Sequence, residues 1–488
     1  MRELSSSINN KHHLLFFILI AILALRWVAV IFSPLELVVD EAQYWLWSKT
    51  LDFGYYSKPP LISWLISISQ SIFGDEAWAA RLFAAPFNVA TSYILFLSGK
   101  KLFNESAGIW AAVFWVFLPA TSLGSFIIST DTPLIFFWSL GLLIIAKCKE
   151  SQSFRKKLCL FFFSGMILGF GMLSKYAAIY FPLSIVIWFL WEEKINYKKN
   201  IQLICIFFLG FLIITSPNII WLIDNHFVSL IHLTHNANLE DPTYKLSSVF
   251  FFWASQIGVL GPILFFLVLN VFLIDIPHKK FLLSFSIPVL VIISFQAFAK
   301  EANANWAIVG YPSLIILTAG YLSQSGKVLT RLGKSAVTIN VSISIALILV
   351  ALTGTFGPFE PKSDPLRKLR GWGLLAEDIE KLGSETGAKT VVADSRETAA
   401  MLSYKMKDSL INVKIFDKNG HPDNHYELER PFNQYSALPA IALSKTLDKN
   451  LPDFIIWEGP ISLSSHSISK LKSRRIYMFL GRKITDHQ

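Results

Sequence analysis

The chain has 488 residues, of which 53% are hydrophobic and only 16% charged. A soluble protein carries roughly 25% charged residues; disorder, a collagen-like rod and a disulfide scaffold are excluded, and the composition is that of a polytopic membrane protein with a smaller soluble part. The formal net charge is +10, yet the basic residues before 357 lie in short clusters between apolar runs, as the positive-inside rule requires. No nucleic-acid-binding motif interleaves them, and no nucleic-acid partner is expected.

A spanning helix needs about 20 mostly apolar residues. Eleven stretches qualify as candidate spans: 14–33, 82–99, 107–127, 132–147, 158–174, 176–191, 201–222, 249–271, 281–299, 306–323 and 336–355. The first has no small-residue cleavage site and reads as a retained span rather than a signal peptide. With the N-terminus inside, 17 Lys and Arg fall in internal segments before residue 357 and 6 in external ones. That asymmetry fixes the expected topology, and an odd number of spans then puts the tail outside. Acids run the other way, 11 outside and 6 inside, as though the outer face needed carboxylates for chemistry. Cys148, Cys159 and Cys205 sit inside or beside spans, so no external disulfide is implied.

The chain divides into a membrane part, 1–356, and a tail, 357–488. The tail alternates helix-like 373–386, strand-like 390–393, helix-like 397–406 and strand-like 410–416, with further strands at 439–443, 454–457 and 475–480. This alternation predicts a small α/β domain. The first external loop, 34–81, is rich in aromatics and has the amphipathic character of an interfacial segment; loops of this length are usually functional.

Candidate chemistry collects on the outer face. Asp40 and Glu41 follow the first span directly, fit either to cap an interfacial helix or to act as a base or cation ligand. Lys58 is set on a stiff turn by Pro59 and Pro60, where it can hold a phosphate or simply snorkel. Asp131, before Thr132-Pro133, reads as a helix cap or a site carboxylate. Lys175 interrupts an apolar region and needs a partner or water. His232 and His235 have i, i+3 spacing but no supporting metal motif. The segment Lys300 to Trp306, with Asn303 and Asn305, is either a polar rim or a sugar-binding wall. No phosphate-binding P-loop, dinucleotide fingerprint or nucleophile elbow is present.

These residues resemble a known family. Val39-Asp40-Glu41-Ala42, Tyr56-Ser57-Lys58-Pro59-Pro60-Leu61, Phe73-Gly74 and Ala80-Arg81-Leu82 are similar to the polyprenyl-phosphate-dependent glycosyltransferases of the GT-C class. That class includes the dolichyl-phosphate-mannose protein mannosyltransferases and the lipid A aminoarabinose transferases. Ser129-Thr130-Asp131-Thr132-Pro133, Leu173-Ser174-Lys175-Tyr176 and Asn303-Ala304-Asn305-Trp306 match as well, and Pro422 to Tyr426 loosely. The resemblance implies an inverting transfer at the periplasmic face of the bacterial inner membrane, from an undecaprenyl-phosphate sugar to lipid A, another envelope glycan or a protein. It implies that Asp40 serves as base or positions the acceptor, with Glu41 and Asp131 as further catalytic carboxylates, Asp131 supporting the site or contacting sugar. Lys58 and Lys175 would hold the donor phosphate, and Tyr56, Asn303, Asn305, Trp306 and Tyr426 would line the substrate. One departure matters: the aminoarabinose transferases carry Glu before Lys-Pro-Pro, where this chain has Ser57. A divalent cation is therefore left unassigned, and no other cofactor is expected. Membrane lipids surround the protein, which is expected to be a monomer. The competing readings are a flippase of lipid-linked sugars, which would need midplane charges beyond Arg26, and a scaffold whose site has lapsed, which would lack carboxylates.

Overall fold

The computed structural model describes residues 2–191, 196–237, 242–357, 364–447, 451–469 and 472–484, with side chains from residue 12 onward. Helix α1 (Arg2–Ile31) is followed by the first loop, which is itself helical: α2 (Val39–Trp47), α3 (Leu61–Phe73) and α4 (Ala77–Ala80). The bundle then runs through α5 (Ala84–Leu102), α6 (Glu105–Val116), α7 (Pro119–Leu123), α8 (Asp131–Glu150), α9 (Phe154–Ser174), α10 (Tyr180–Trp191), α11 (Tyr197–Asp224) and α12 (Val228–Ala237). It closes with α13 (Leu246–Leu260), α14 (Pro262–Asn270), α15 (Lys279–Ser284), α16 (Ile287–Ala299), α17 (Tyr311–Ser323) and α18 (Lys327–Thr353).

Among the described residues, eight helical segments are long and apolar enough to cross a membrane, or nine if the bent pair α13–α14 is one span. Two of the eleven expected spans are therefore not full-length helices. The 107–127 stretch breaks after Val116, where Leu118 is extended (φ −54°, ψ 136°) and Pro119 opens a new short helix. The 176–191 stretch starts as a 3-10 turn after an extended Lys175 (φ −158°, ψ 136°). Apolar composition set the expectation, and single backbone breaks override it. The α13–α14 pair bends by 112° at Gly261 (φ +86°). A Cβ there would lie 1.9 Å from the Asn340 side-chain oxygen, so only glycine fits. Asn340 in turn donates to the Leu260 carbonyl (3.0 Å), one of those left open at the bend.

The tail is an α/β unit, as its alternation predicts. Helices α19 (Trp372–Thr386), α20 (Arg396–Lys405) and α21 (His425–Glu429) accompany five strands: β1 (Thr390–Ala393), β2 (Asn412–Ile415), β3 (Ala440–Ser444), β4 (Ile455–Ser469) and β5 (Lys472–Ile484). The sheet order is β2-β1-β3-β5-β4. Strand β1 lies parallel to both neighbours, with Val391 opposite Val413 and Ile441, while β5 runs antiparallel to β3 and β4. Strands β1 and β3 are short, mostly apolar runs buried on both faces, as in sheets covered by helices.

Two cores result. One fills the helical bundle. The other joins the first loop to the tail: Trp45, Trp47, Tyr55 and Ile62 share it with Leu402, Tyr404 and Tyr426. Trp45 meets Tyr404 edge-on at 5.0 Å and Trp47 meets His425 at 5.5 Å. Such aromatic pairs add to area burial, so loop and tail are packed as one body.

Candidate active site

The site is built where α2, the Lys-Pro-Pro turn, the start of α8, the break between α9 and α10, and the start of α20 converge. Its frame is the ion pair of Glu41 and Arg81, with a closest approach of 2.7 Å and both side chains almost wholly buried. Glu41 also accepts from the backbone N–H of Val38 (2.9 Å) and of Ile128 (2.8 Å). Arg81 donates to the carbonyls of Leu35 (3.0 Å) and Glu36 (2.7 Å). A buried ion pair holds only when its remaining hydrogen-bonding capacity is met, and here it is. Both Glu41 oxygens are committed to this scaffold.

Its neighbour has the opposite surroundings. Asp40 lies in the first turn of α2, its side chain 60% exposed, and one oxygen pairs with Arg396 at 2.7 Å. The N-cap position belongs to Val38, so Asp40 does not cap the helix. Asp131 likewise is the first residue of α8 rather than its cap, which is Thr130. Its carboxylate bridges Lys175 (2.7 Å) and the Asn305 amide (2.8 Å), drawing three separated segments together.

Lys58 is held by its backbone. Tyr55 donates its N–H to the Lys58 carbonyl (3.1 Å), closing the turn. The turn is clasped from α11 and α12: Trp221 donates to Asp52 (2.7 Å), Asn218 to the Phe53 carbonyl (2.6 Å) and Ser229 to the Tyr55 carbonyl (2.5 Å). Gly54 lies flat on the Trp221 indole, where a Cβ would fall 2.2 Å from a ring carbon. The Lys58 ammonium takes no hydrogen bond or ion pair from any described residue. Burial lowers its pKa, and so does the charge of Lys175, while Asp40 and Asp131 act in the other direction. Burial and the cations Lys58 and Arg396 hold His232 at about 4, so it is neutral at physiological pH. His232 packs on the Tyr56 ring at 5.0 Å. Among the described residues, no group of three or more His, Cys, Asp or Glu side chains is placed to hold a metal ion.

The remaining expected residues separate into rim and foundation. Asn305 is exposed and joined to Asp131. Asn303 is exposed and precedes a 3-10 turn, accepting from the Trp306 N–H (3.0 Å). Trp306 is half-buried against the bundle core. Tyr56 is buried and donates its hydroxyl to the Pro422 carbonyl (2.8 Å), stitching loop to tail. Burial, with Asp423 and Glu427 nearby, lifts its pKa to about 12. Tyr426 is fully buried in the shared core beneath the site.

Sequence reading missed Arg396 and Arg81. Arg396 carried one signal: it is the first residue of a helix capped by Ser395, where a cation opposes the helix dipole. A basic residue in so poor a place is there for a contact elsewhere. Arg81 stands among the external charges and in the Ala80-Arg81-Leu82 motif, but neither gives it a role.

Chemically, the arrangement offers an exposed carboxylate, Asp40, held by Arg396, a more buried one, Asp131, paired with Lys175, and a half-buried lysine, Lys58, beside them. It suits binding an anion beside a group that loses a proton.

Comparison with known proteins agrees. Residues 57–221 match the family described as dolichyl-phosphate-mannose-protein mannosyltransferase. The lipid A galacturonosyltransferase RgtD of Rhizobium johnstonii is 29% identical, over 86% of this chain and 87% of its own length. An undecaprenyl phosphate-alpha-4-amino-4-deoxy-L-arabinose arabinosyl transferase of Pseudomonas fluorescens is 24% identical, over 31% of this chain and 28% of its own. The crystal structure of apo ArnT from Cupriavidus metallidurans superposes with a TM-score of 0.69 at 13% identity, covering 96% of this chain and 98% of that one. The resemblance read from the motifs, and the GT-C-like helical fold with its small C-terminal sheet, are both borne out.

Proposed function

We propose that this chain, a multi-pass membrane glycosyltransferase of the GT-C class, moves a sugar from an undecaprenyl-phosphate donor to lipid A, with inversion. The observation that carries the reading is Lys58: a lysine with no described partner, desolvated, on a fixed turn, beside Lys175 and two carboxylates. A phosphate answers that arrangement. The lipid A acceptor is supported by the name of the Rhizobium relative, a lipid A galacturonosyltransferase, and the donor by the names of the arabinosyl transferases.

In this mechanism the acceptor hydroxyl attacks the anomeric carbon while the bond from that carbon to the phosphate oxygen breaks. The donor phosphate gains one negative charge as it leaves. Lys58 and Lys175 meet that charge in a low-dielectric cleft, where fixed cations stabilise a transition state most. Asp40, exposed and on the same face, takes the acceptor proton. Asp131 orients Lys175, Asn305 ties the rim to it, and Glu41 with Arg81 holds the scaffold. The basic asymmetry supports a cytoplasmic N-terminus and, with it, a periplasmic site and tail on a bacterial inner-membrane protein.

The test uses purified full-length protein in detergent, with lipid A as acceptor. The donors are synthetic undecaprenyl-phosphate sugars: a hexose, a hexuronic acid and an aminopentose. Asp40→Asn keeps shape and removes the base, so turnover should fall more than about tenfold, or 1.4 kcal/mol, at unchanged melting temperature. Transfer from none of the donors, or an Asp40→Asn enzyme with near-normal turnover, would overturn the reading.

A further inference from the structure

We propose that Arg396, supplied by the C-terminal domain, is the positioning residue for the Asp40 carboxylate, so that the site is complete only with that domain docked. This rests on the reading of Asp40 as base. The guanidinium forks between two residues three apart on α2: one nitrogen donates to the Gln43 side-chain oxygen and another to Asp40, each at 2.7 Å. Positions i and i+3 share a helix face, and the two separate nitrogens of a planar fork bridge them in one fixed geometry. Gln43 is 2% exposed, so one arm is held by a buried, fixed acceptor while the other aims at a carboxylate that is otherwise open to water.

The arrangement has a chemical purpose. The guanidinium offsets the negative charge that a donor phosphate entering beside Lys58 brings close to Asp40, and it restricts the rotamers of an exposed side chain. The location of Arg396 fits this use, since a cation at the first position of a helix is disfavoured by the dipole. Docking has other supports: from the same helix Lys405 pairs with Glu36 (2.9 Å), and just beyond its end Lys407 donates to the Asp75 carbonyl (2.7 Å). Arg396 is therefore not needed merely to hold the domain in place.

The experiment compares Arg396→Ala, Arg396→Lys, Arg396→Gln and Lys405→Ala in the full-length protein, using the donor and acceptor that the wild type turns over. Arg396→Ala should lower kcat about 10- to 100-fold with donor KM changed less than about threefold, and Arg396→Lys should recover part of it. In an Asp40→Asn background, Arg396→Ala should cause no further loss, because residues acting as a unit are non-additive. Lys405→Ala should lower the melting temperature and leave kcat alone. Should Arg396→Ala misfold, the Lys and Gln variants carry the same comparison. Three results would overturn the inference: wild-type kcat without the guanidinium, additive losses in the double variant, or an equal kcat loss in Lys405→Ala. If Asp40→Asn itself is active, the base reading fails, and the two failures are told apart.

Discussion

Lys175 and Asp131 meet at 2.7 Å with side chains only 19% and 15% exposed, and this pair sets the division of labour between the two lysines. Lys175 enters the reaction with its charge already partly answered. Lys58, with no described partner, has its whole charge to offer.

Lys58→Ala should therefore be the more damaging of the two lysine changes. Losing a charge-assisted phosphate contact in the transition state should cost about 2–4 kcal/mol, or roughly 30- to 1000-fold in turnover. Lys58→Arg should rescue in part. The measurement is kcat in purified protein, beside a thermal melt. Near-normal turnover of the Ala variant would mean that Lys58 serves only to reach the interface.

The lowered pKa of Lys58 predicts an alkaline limb. The ammonium is charged below its pKa, so donor binding is intact at low pH and weakens as pH rises through that value, which lies under the ordinary 10.5. Bound phosphate favours the charged form, so the limb should appear at lower pH in kcat/KM than in kcat. Lys58→Arg should remove it, because a guanidinium stays charged across the range. A pH–rate profile with no such difference between wild type and Lys58→Arg would exclude this lysine as the titrating group.

Glu41 and Arg81 should behave differently from Asp40. Removing one partner of a fully buried pair costs about 3–5 kcal/mol, so Arg81→Ala should lower the melting temperature sharply or prevent folding. Glu41→Gln leaves one acceptor oxygen where the Val38 and Ile128 N–H groups use two, and removes the charge that answers Arg81, so it should lose more stability than turnover. A Glu41→Gln protein with wild-type stability and no activity would move the catalytic assignment from Asp40 to Glu41.

A reporter fused after Gln488 checks the topology. Activity of a periplasm-only reporter is expected, and activity of a cytoplasm-only one would reverse the orientation and move the site to the other face.

Much of this was legible in the sequence because it is carried by local chemistry. The α/β tail follows from alternating short elements, and β1 was expected at the residues where it is found. Asp40, Lys58, Asp131 and Lys175 stood out because charged residues beside spans need a reason. The span breaks were less legible: Leu118-Pro119 and Lys175 each change a single backbone conformation inside an apolar stretch, which hydropathy averages away. Least legible were partners distant in the chain. Arg81 finds Glu41 across 40 residues and Arg396 finds Asp40 across 356, and no local spacing encodes such meetings.

Gly54, pressed on Trp221, ties catalysis to the lipid around the protein. The turn bearing Lys58 hangs from the C-terminal end of α11, a helix with Pro217 inside it, and Lys175 follows the end of α9, on which α11 packs closely through Gly165, Gly169 and Gly210. A bilayer thick or thin enough to change the tilt of this helix pair would carry both lysines relative to Asp40 and Arg396, altering the distances between the charges. Acyl-chain length then becomes a variable of turnover, to be set deliberately when the enzyme is reconstituted in vesicles, while a detergent micelle samples only one value of it.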